Sequence, residues 1–314
     1  MSAWQWIFSA ISAIALFLYG LSGFSRELLD AGGARLTLWL GKATSNRYVA
    51  AVLGAVFTAF IQSSTAVTAL AISLVDGGML RFGAALAILL GANVGTTTTA
   101  WLVSFKLTAL GPIFLSVGAL VSALAPARWK PVGKVLFYFG FVLFALDLIG
   151  GVMAPLGQSP AVVSALAHAN SPWIGVAAGI LVTIVLQSSS ITTGLAVVLV
   201  QQQVLTSEAA IYLVVGANVG TTVTGLIASA SMGMLARKTA WINTGFKAAG
   251  AALFAPMLVL FAQAVVRAAP SPEMAVALAH LIFNIVSSTL FLVFMPLYLG
   301  PLERWARASE QAER

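Results

Sequence analysis

Two short polar motifs, each present twice, hold the residues best suited to chemistry. Gln62-Ser63-Ser64 recurs as Gln187-Ser188-Ser189, 125 positions later (62 to 187). Gly91-Ala92-Asn93-Val94-Gly95-Thr96-Thr97 recurs as Gly216-Ala217-Asn218-Val219-Gly220-Thr221-Thr222 at the same displacement. Thr68 and Thr193, and Leu70-Ala71 and Leu195-Ala196, keep the register. One displacement shared by two motifs marks a fused duplication. All of these polar residues sit inside apolar runs. Hydroxyls and amide nitrogens there donate hydrogen bonds, and a helix N-terminus adds free N–H groups and partial positive charge, which suits an anion. Gln and Asn carbonyl oxygens, hydroxyl oxygens and freed main-chain carbonyls supply a hard oxygen shell for a small cation. Two glycines within five residues permit an unwound stretch inside a span, with the following threonines capping or ligating where the helix resumes.

The elements that position these motifs are membrane helices. Of 314 residues, 60% are hydrophobic and 8% charged, with a mean hydropathy of +0.99; soluble domains carry about a quarter charged residues. The run from Tyr48 to Val75 is ~42 Å long as one helix, too long for a comfortable crossing. Split at Gln62, each arm is ~20 Å, enough to reach mid-membrane only. A re-entrant hairpin with Gln-Ser-Ser at its tip fits better, and Trp173–Val200 repeats the pattern around Gln187. Broken helices at corresponding positions of two halves point to a transporter's substrate site.

Charge placement orients the spans. Arg26, Arg35, Lys42 and Arg47, then Arg128, Lys130 and Lys134, then Arg237 and Lys238, then Arg304, Arg307 and Arg314 cluster in short connections, as cytoplasmic loops do. The net charge of +7 therefore predicts no nucleic-acid partner. With both hairpins re-entrant, every basic cluster falls inside. The predicted fold is an all-α integral membrane protein of two inverted-topology repeats, each with a re-entrant helical hairpin and a broken transmembrane helix. The first repeat covers 1–127 (hairpin 48–76, broken helix 82–104) and the second 128–270 (hairpin 173–202, broken helix 208–230). A final transmembrane helix and cytoplasmic tail fill 271–314. Asp30–Lys42 and Pro160–Ala169 are expected as short interfacial helices. The protein is expected to be multi-pass in the cell (inner or plasma) membrane, N-terminus outside and C-terminus cytoplasmic.

These motifs resemble those of the type II sodium–phosphate cotransporter family, bacterial members included. The resemblance rests on Gln62-Ser63-Ser64-Thr65, Gln187-Ser188-Ser189-Ser190 and the paired Gly-Ala-Asn-Val-Gly-Thr segments, and as a duplicated architecture it covers nearly the whole chain. It implies a central site between the hairpin tips. Gln62, Ser63, Ser64, Gln187, Ser188 and Ser189 would bind phosphate. Ser190, Thr193, Asn93, Thr96, Thr97, Asn218, Thr221 and Thr222 would bind sodium. Thr65 stands where the family has a third serine, and Ala217 where some animal relatives have a serine associated with sodium binding. Many bacterial relatives carry a C-terminal regulatory domain; this chain ends soon after its last span, at Arg314, and is expected to lack it.

Accessory candidates are Thr65, Lys247, Asn243, Asp147, His280 and Asn284. Lys247 is a candidate for offsetting substrate charge, with Asp147 a conceivable partner. Intramembrane ionisable residues are functional candidates by default. His280 and Asn284, one turn apart, resemble a pattern that recurs in the family. No cysteine is present, and no catalytic or nucleotide-binding motif occurs. The expectation is a non-enzyme with no cofactor, sodium serving as the coupling ion. Its partners would be inorganic phosphate, sodium, the lipid bilayer and a second copy in a homodimer. The rival readings are a sodium-coupled carrier of dicarboxylate or sulfate, a phosphate exporter, and a non-transporting phosphate sensor.

Overall fold

The computed structural model describes residues 3–42, 46–105, 107–155 and 171–312. Among the described residues every regular element is helical. Seven segments of the described residues are long and apolar enough to cross a membrane: Trp4–Gly32, Phe82–Ser104, Leu107–Leu124, Ala127–Met153, Ser207–Ser229, Met234–Ala268 and Pro272–Ala306. The chain is a multi-pass membrane protein. Helix α1 is Ala3–Lys42. Two pairs of shorter apolar helices follow it at separate points of the chain, α2 (Arg47–Ile61) with α3 (Ser64–Asp76), and α8 (Pro172–Leu186) with α9 (Ser189–Gln201). At 1.5 Å per residue, none reaches the ~30 Å of a hydrocarbon core.

Each short pair precedes a buried two-part helix. The first is α4 (Phe82–Gly95) with α5 (Thr98–Ser104); α6 (Gly111–Leu124) and α7 (Lys130–Met153) come next. The second is α10 (Ser207–Gly220) with α11 (Thr222–Ser229), followed by α12 (Met234–Phe254), α13 (Leu258–Ala268) and α14 (Pro272–Ala312). In their most apolar windows the two-part helices are 78% and 67% buried, against 11% for Leu107–Leu124. The two-part helices are therefore the centre of the bundle. The outer helix α6 turns Ile113, Val117, Leu120 and Leu124 outward, as a lipid-facing surface requires.

The centre is held by direct backbone contact. Gly91 on α4 lies against the Ala51 carbonyl of α2, and a Cβ at that position would overlap the oxygen. Gly216 on α10 meets the Val176 carbonyl of α8 in the same way. Gly54 against Ile88 and Gly95 against Ala55 extend the first seam; Gly179 against Leu213 and Gly220 against Ile180 extend the second. Every contact in one seam has its counterpart 125 positions on. The short helices also cross between halves: α3 packs on α11 and α12, and α9 packs on α5. Gln201 Nε2 donates to the Val103 carbonyl at 3.1 Å, and Gly233 N–H to Asp76 Oδ1 at 3.0 Å.

Two expectations need correction. Asp30–Lys42 is not a separate interfacial helix but the continuation of α1; no proline interrupts it, and paired glycines alone cost only ~1 kcal/mol each in a helix. The Gly-Ala-Asn-Val-Gly-Thr segments are not unwound either. Thr96 (φ −64°, ψ −19°), Thr97 (φ −68°, ψ −20°) and Thr221 (φ −65°, ψ −15°) keep right-handed angles. Thr97 N–H turns to the Val94 carbonyl at 3.1 Å, a tightened i→i−3 turn. The glycines serve the seam, not an unwound stretch. The segment Pro160–Ala169 lies outside the described residues.

Candidate functional site

Both helix breaks have one backbone solution. The first arm ends in a left-handed residue, Gln62 (φ 59°, ψ 25°) and Gln187 (φ 54°, ψ 21°). For a residue with a Cβ that conformation costs ~1–2 kcal/mol, so the surroundings must hold it. The next residue is extended, Ser63 at φ −145° and Ser188 at φ −153°. Each serine then caps the second arm: Ser63 Oγ accepts from Ala66 N–H at 3.2 Å, and Ser188 Oγ from Ile191 N–H at 3.4 Å. A hydroxyl whose lone pair takes the cap bond keeps its own hydrogen to donate. The remaining first-turn N–H groups have no intrahelical acceptor.

The two breaks line one cavity of ≈ 440 Å³. Gln62, Ser63 and Thr65 come from the first, and Gln187 and Ser188 from the second. Helix α1 closes a further side with Ser22, Ser25 and Arg26, which the sequence reading missed by assigning Arg26 to a loop. Ser64 and Ser189, expected beside their neighbours, start the second arms with side chains buried outside the cavity lining.

The two glutamines differ. Gln62 is buried, and its Nε2 donates to the Ala59 carbonyl and to Thr98 Oγ1 (2.8 Å), while its Oε1 accepts from Thr99 Oγ1 (2.8 Å). Both amide hydrogens are thus committed, and Gln62 clamps its break to α5. Gln187 is exposed; its main-chain carbonyl is held by Thr224 Oγ1 at 3.2 Å, and its side-chain amide has no partner among the described residues. The difference is encoded, because Val223 occupies the position corresponding to Thr98. The Gln187 amide remains free to face a ligand.

The expected cation ligands divide similarly. Thr96 Oγ1 and Ser190 Oγ share a hydrogen bond of 3.1 Å across the two halves. Among the described residues Thr193 Oγ1 and Asn218 Oδ1 are buried without a hydrogen-bond partner, as are Ser189 Oγ, expected on phosphate, and the accessory Asn243 Oδ1, each at a cost of ~1–3 kcal/mol. Such oxygens fit a small hard cation. Thr97 and Thr222 spend their hydroxyl hydrogens on the Val94 and Val219 carbonyls of their own turns, 2.8 Å in each case. Asn93 and Thr221 are buried. No group of His, Cys, Asp or Glu suited to a metal ion occurs among the described residues.

Among the accessory candidates, Lys247 is buried on α12 while Asp147 is exposed on α7, and no ion pair joins them among the described residues. Asn284 Nδ2 donates to the His280 main-chain carbonyl at 2.9 Å, not to its ring, whose two buried nitrogens have no partner among the described residues.

A multi-pass helical bundle enclosing a polar cavity between two internal helix breaks has the build of a solute carrier. The chain matches the model of the Na+/Pi-cotransporter family over residues 16–151 and 159–291, and it belongs to that family. It is 27% identical over 293 residues to YqeW of Bacillus subtilis (strain 168), covering 93% of this chain and 95% of that protein. YjbB of Escherichia coli (strain K12), provisionally named an inorganic phosphate export protein, is 27% identical over 95% of this chain; the chain spans 54% of its length. The human sodium-dependent phosphate transport protein 2B is 35% identical over 109 residues, 32% of this chain and 15% of that protein. No solved structure matches.

Proposed function

We propose that the chain moves inorganic phosphate together with sodium by alternating access around the cavity between the two Gln-Ser-Ser breaks. One observation carries the reading: corresponding breaks, 125 residues apart in sequence, share a single cavity whose hydroxyls, Gln187 amide and Arg26 guanidinium can donate hydrogen bonds to an anion. The capping hydroxyls of Ser63 and Ser188, the Gln187 amide and the first-turn N–H groups of α3 and α9 bind the phosphate oxygens. Gln62 holds the first break in shape. Sodium occupies the buried neutral oxygens, Ser190, Thr193, Asn218 and Thr96 foremost. Each ligand then favours the other, a reciprocal coupling free energy. The two halves, 1–127 and 128–270, are inverted repeats, and the short helix pairs are re-entrant hairpins, with the N-terminus outside and the C-terminus cytoplasmic. The carrier needs no cofactor beyond its coupling ion, performs no chemistry on its substrate, and works as a homodimer in the cell membrane.

The test is uptake of radiolabelled phosphate into proteoliposomes under an inward sodium gradient, against an equal potassium gradient. Sodium-dependent uptake blocked by arsenate and not by sulfate supports the reading. Equal uptake in both gradients, or none from folded protein, removes it. A second reading, net export, is favoured by the name of the YjbB relative. Phosphate-loaded vesicles of known protein orientation, followed for efflux under cellular ion gradients, separate the two directions.

A further inference from the structure

The cavity between the breaks holds a formal charge that neither break supplies. Ser22, Ser25, Arg26 and Leu29 recur at i, i+3, i+4 and i+7 on α1, so they form one stripe, and all four line the cavity. Arg26 is exposed there. Its neighbour Glu27 is engaged elsewhere, holding Lys134 Nζ at 3.3 Å. Among the described residues no carboxylate forms an ion pair with Arg26. Arg26 shares the lining of this cavity with Ser63, Ser188 and Gln187, so its positive charge is available to an anion held there. A guanidinium presents its N–H groups in a planar fork that matches two oxygens of a phosphate, which a hydroxyl or a single amide does not.

We propose that Arg26 is the charge-bearing phosphate ligand of this cavity, taking two oxygens of the anion while the capping serines and Gln187 take the others. The proposal rests on the phosphate reading above and adds to it a residue on α1, outside both repeated motifs. A bidentate charge-assisted contact sets the expected loss at about tenfold or more in affinity.

The experiment measures binding of radiolabelled inorganic phosphate to the purified full chain in sodium-containing micelles, and transport in proteoliposomes, for Arg26→Gln, Arg26→Lys and Ser188→Ala. Arg26→Gln should raise Kd and KM at least about tenfold and leave kcat within about twofold. Arg26→Lys keeps the charge and loses the fork, and should fall between it and the unmutated protein. Unchanged Kd and KM in folded Arg26→Gln overturn the proposal, as does a loss of kcat alone. If that happens while Ser188→Ala abolishes binding, the phosphate reading stands and only the role of Arg26 falls. Absence of sodium-dependent phosphate binding by the unmutated chain removes both.

Discussion

The two glutamines of the repeated motif should respond to the same substitution to very different extents. Replacing Gln62 by alanine removes its bonds to Thr98 and Thr99 and to the Ala59 carbonyl. At ~0.5–1.5 kcal/mol net for each hydrogen bond, three bonds amount to about 1.5–4.5 kcal/mol. Thr99, 4% exposed, is also left with a buried hydroxyl and one partner fewer. The left-handed backbone at position 62 stays, since alanine is no better suited to it. Gln187→Ala removes an exposed amide with no partner among the described residues and should cost under about 1 kcal/mol. Equilibrium unfolding by SDS titration in mixed micelles, read from tryptophan fluorescence, measures both. Thr99→Val supplies the control: with Gln62 and Thr99 bonded, the double substitution should cost less than the two single losses added, by about 1 kcal/mol. Equal destabilisation at positions 62 and 187, or strict additivity of Gln62 with Thr99, refutes the clamp.

Further outcomes follow from particular contacts. Ser63→Ala and Ser188→Ala should each lose most phosphate transport while the protein remains folded; cap loss costs only ~1 kcal/mol, and proteoliposome uptake per folded molecule reads the difference. Gly91→Ala and Gly216→Ala should each destabilise by roughly 1–3 kcal/mol or more, because the new methyl meets a main-chain carbonyl. Gly245→Ala, with nothing within 4 Å of the added atom, should be neutral or slightly stabilising in the same unfolding assay. Thr183→Val should cost ~1 kcal/mol by removing its 2.8 Å bond to Thr192. Its counterpart Thr58 has a buried hydroxyl without a partner, because Val67 stands at the position matching Thr192, so Thr58→Val should cost nothing or stabilise.

Much of the architecture was legible in the order of residues. Apolar runs report membrane helices because lipid imposes one solution on the backbone. A polar Gln-Ser-Ser in the middle of a run too long to cross reports its break. What escaped was set by contacts between distant segments, which periodicity does not encode. Gly91 and Gly95 read as permission to unwind, yet their space is filled by the carbonyls of Ala51 and Ala55. Arg26 read as part of a short basic connection; α1 in fact continues through it, and its 3.6-residue repeat carries Arg26 onto the face of Ser22. The commitment of Gln62 to Thr98 and Thr99 was visible only as an unexplained run of four threonines, Thr96 to Thr99, whose second copy is interrupted by Val223.

The glycine seams also decide which parts of the protein can change their mutual distance. Sliding α2 along α4 would carry the Ala51 carbonyl out of the gap that Gly91 leaves and toward Ile88, a side chain on the same face. Each pair, α2 with α4 and α8 with α10, is thus locked in register like a rack meshed with its pinion. Paramagnetic labels placed across either seam should report one fixed separation under every ionic condition. Labels placed between the halves, spanning the Thr96–Ser190 contact, are where two separations should be found.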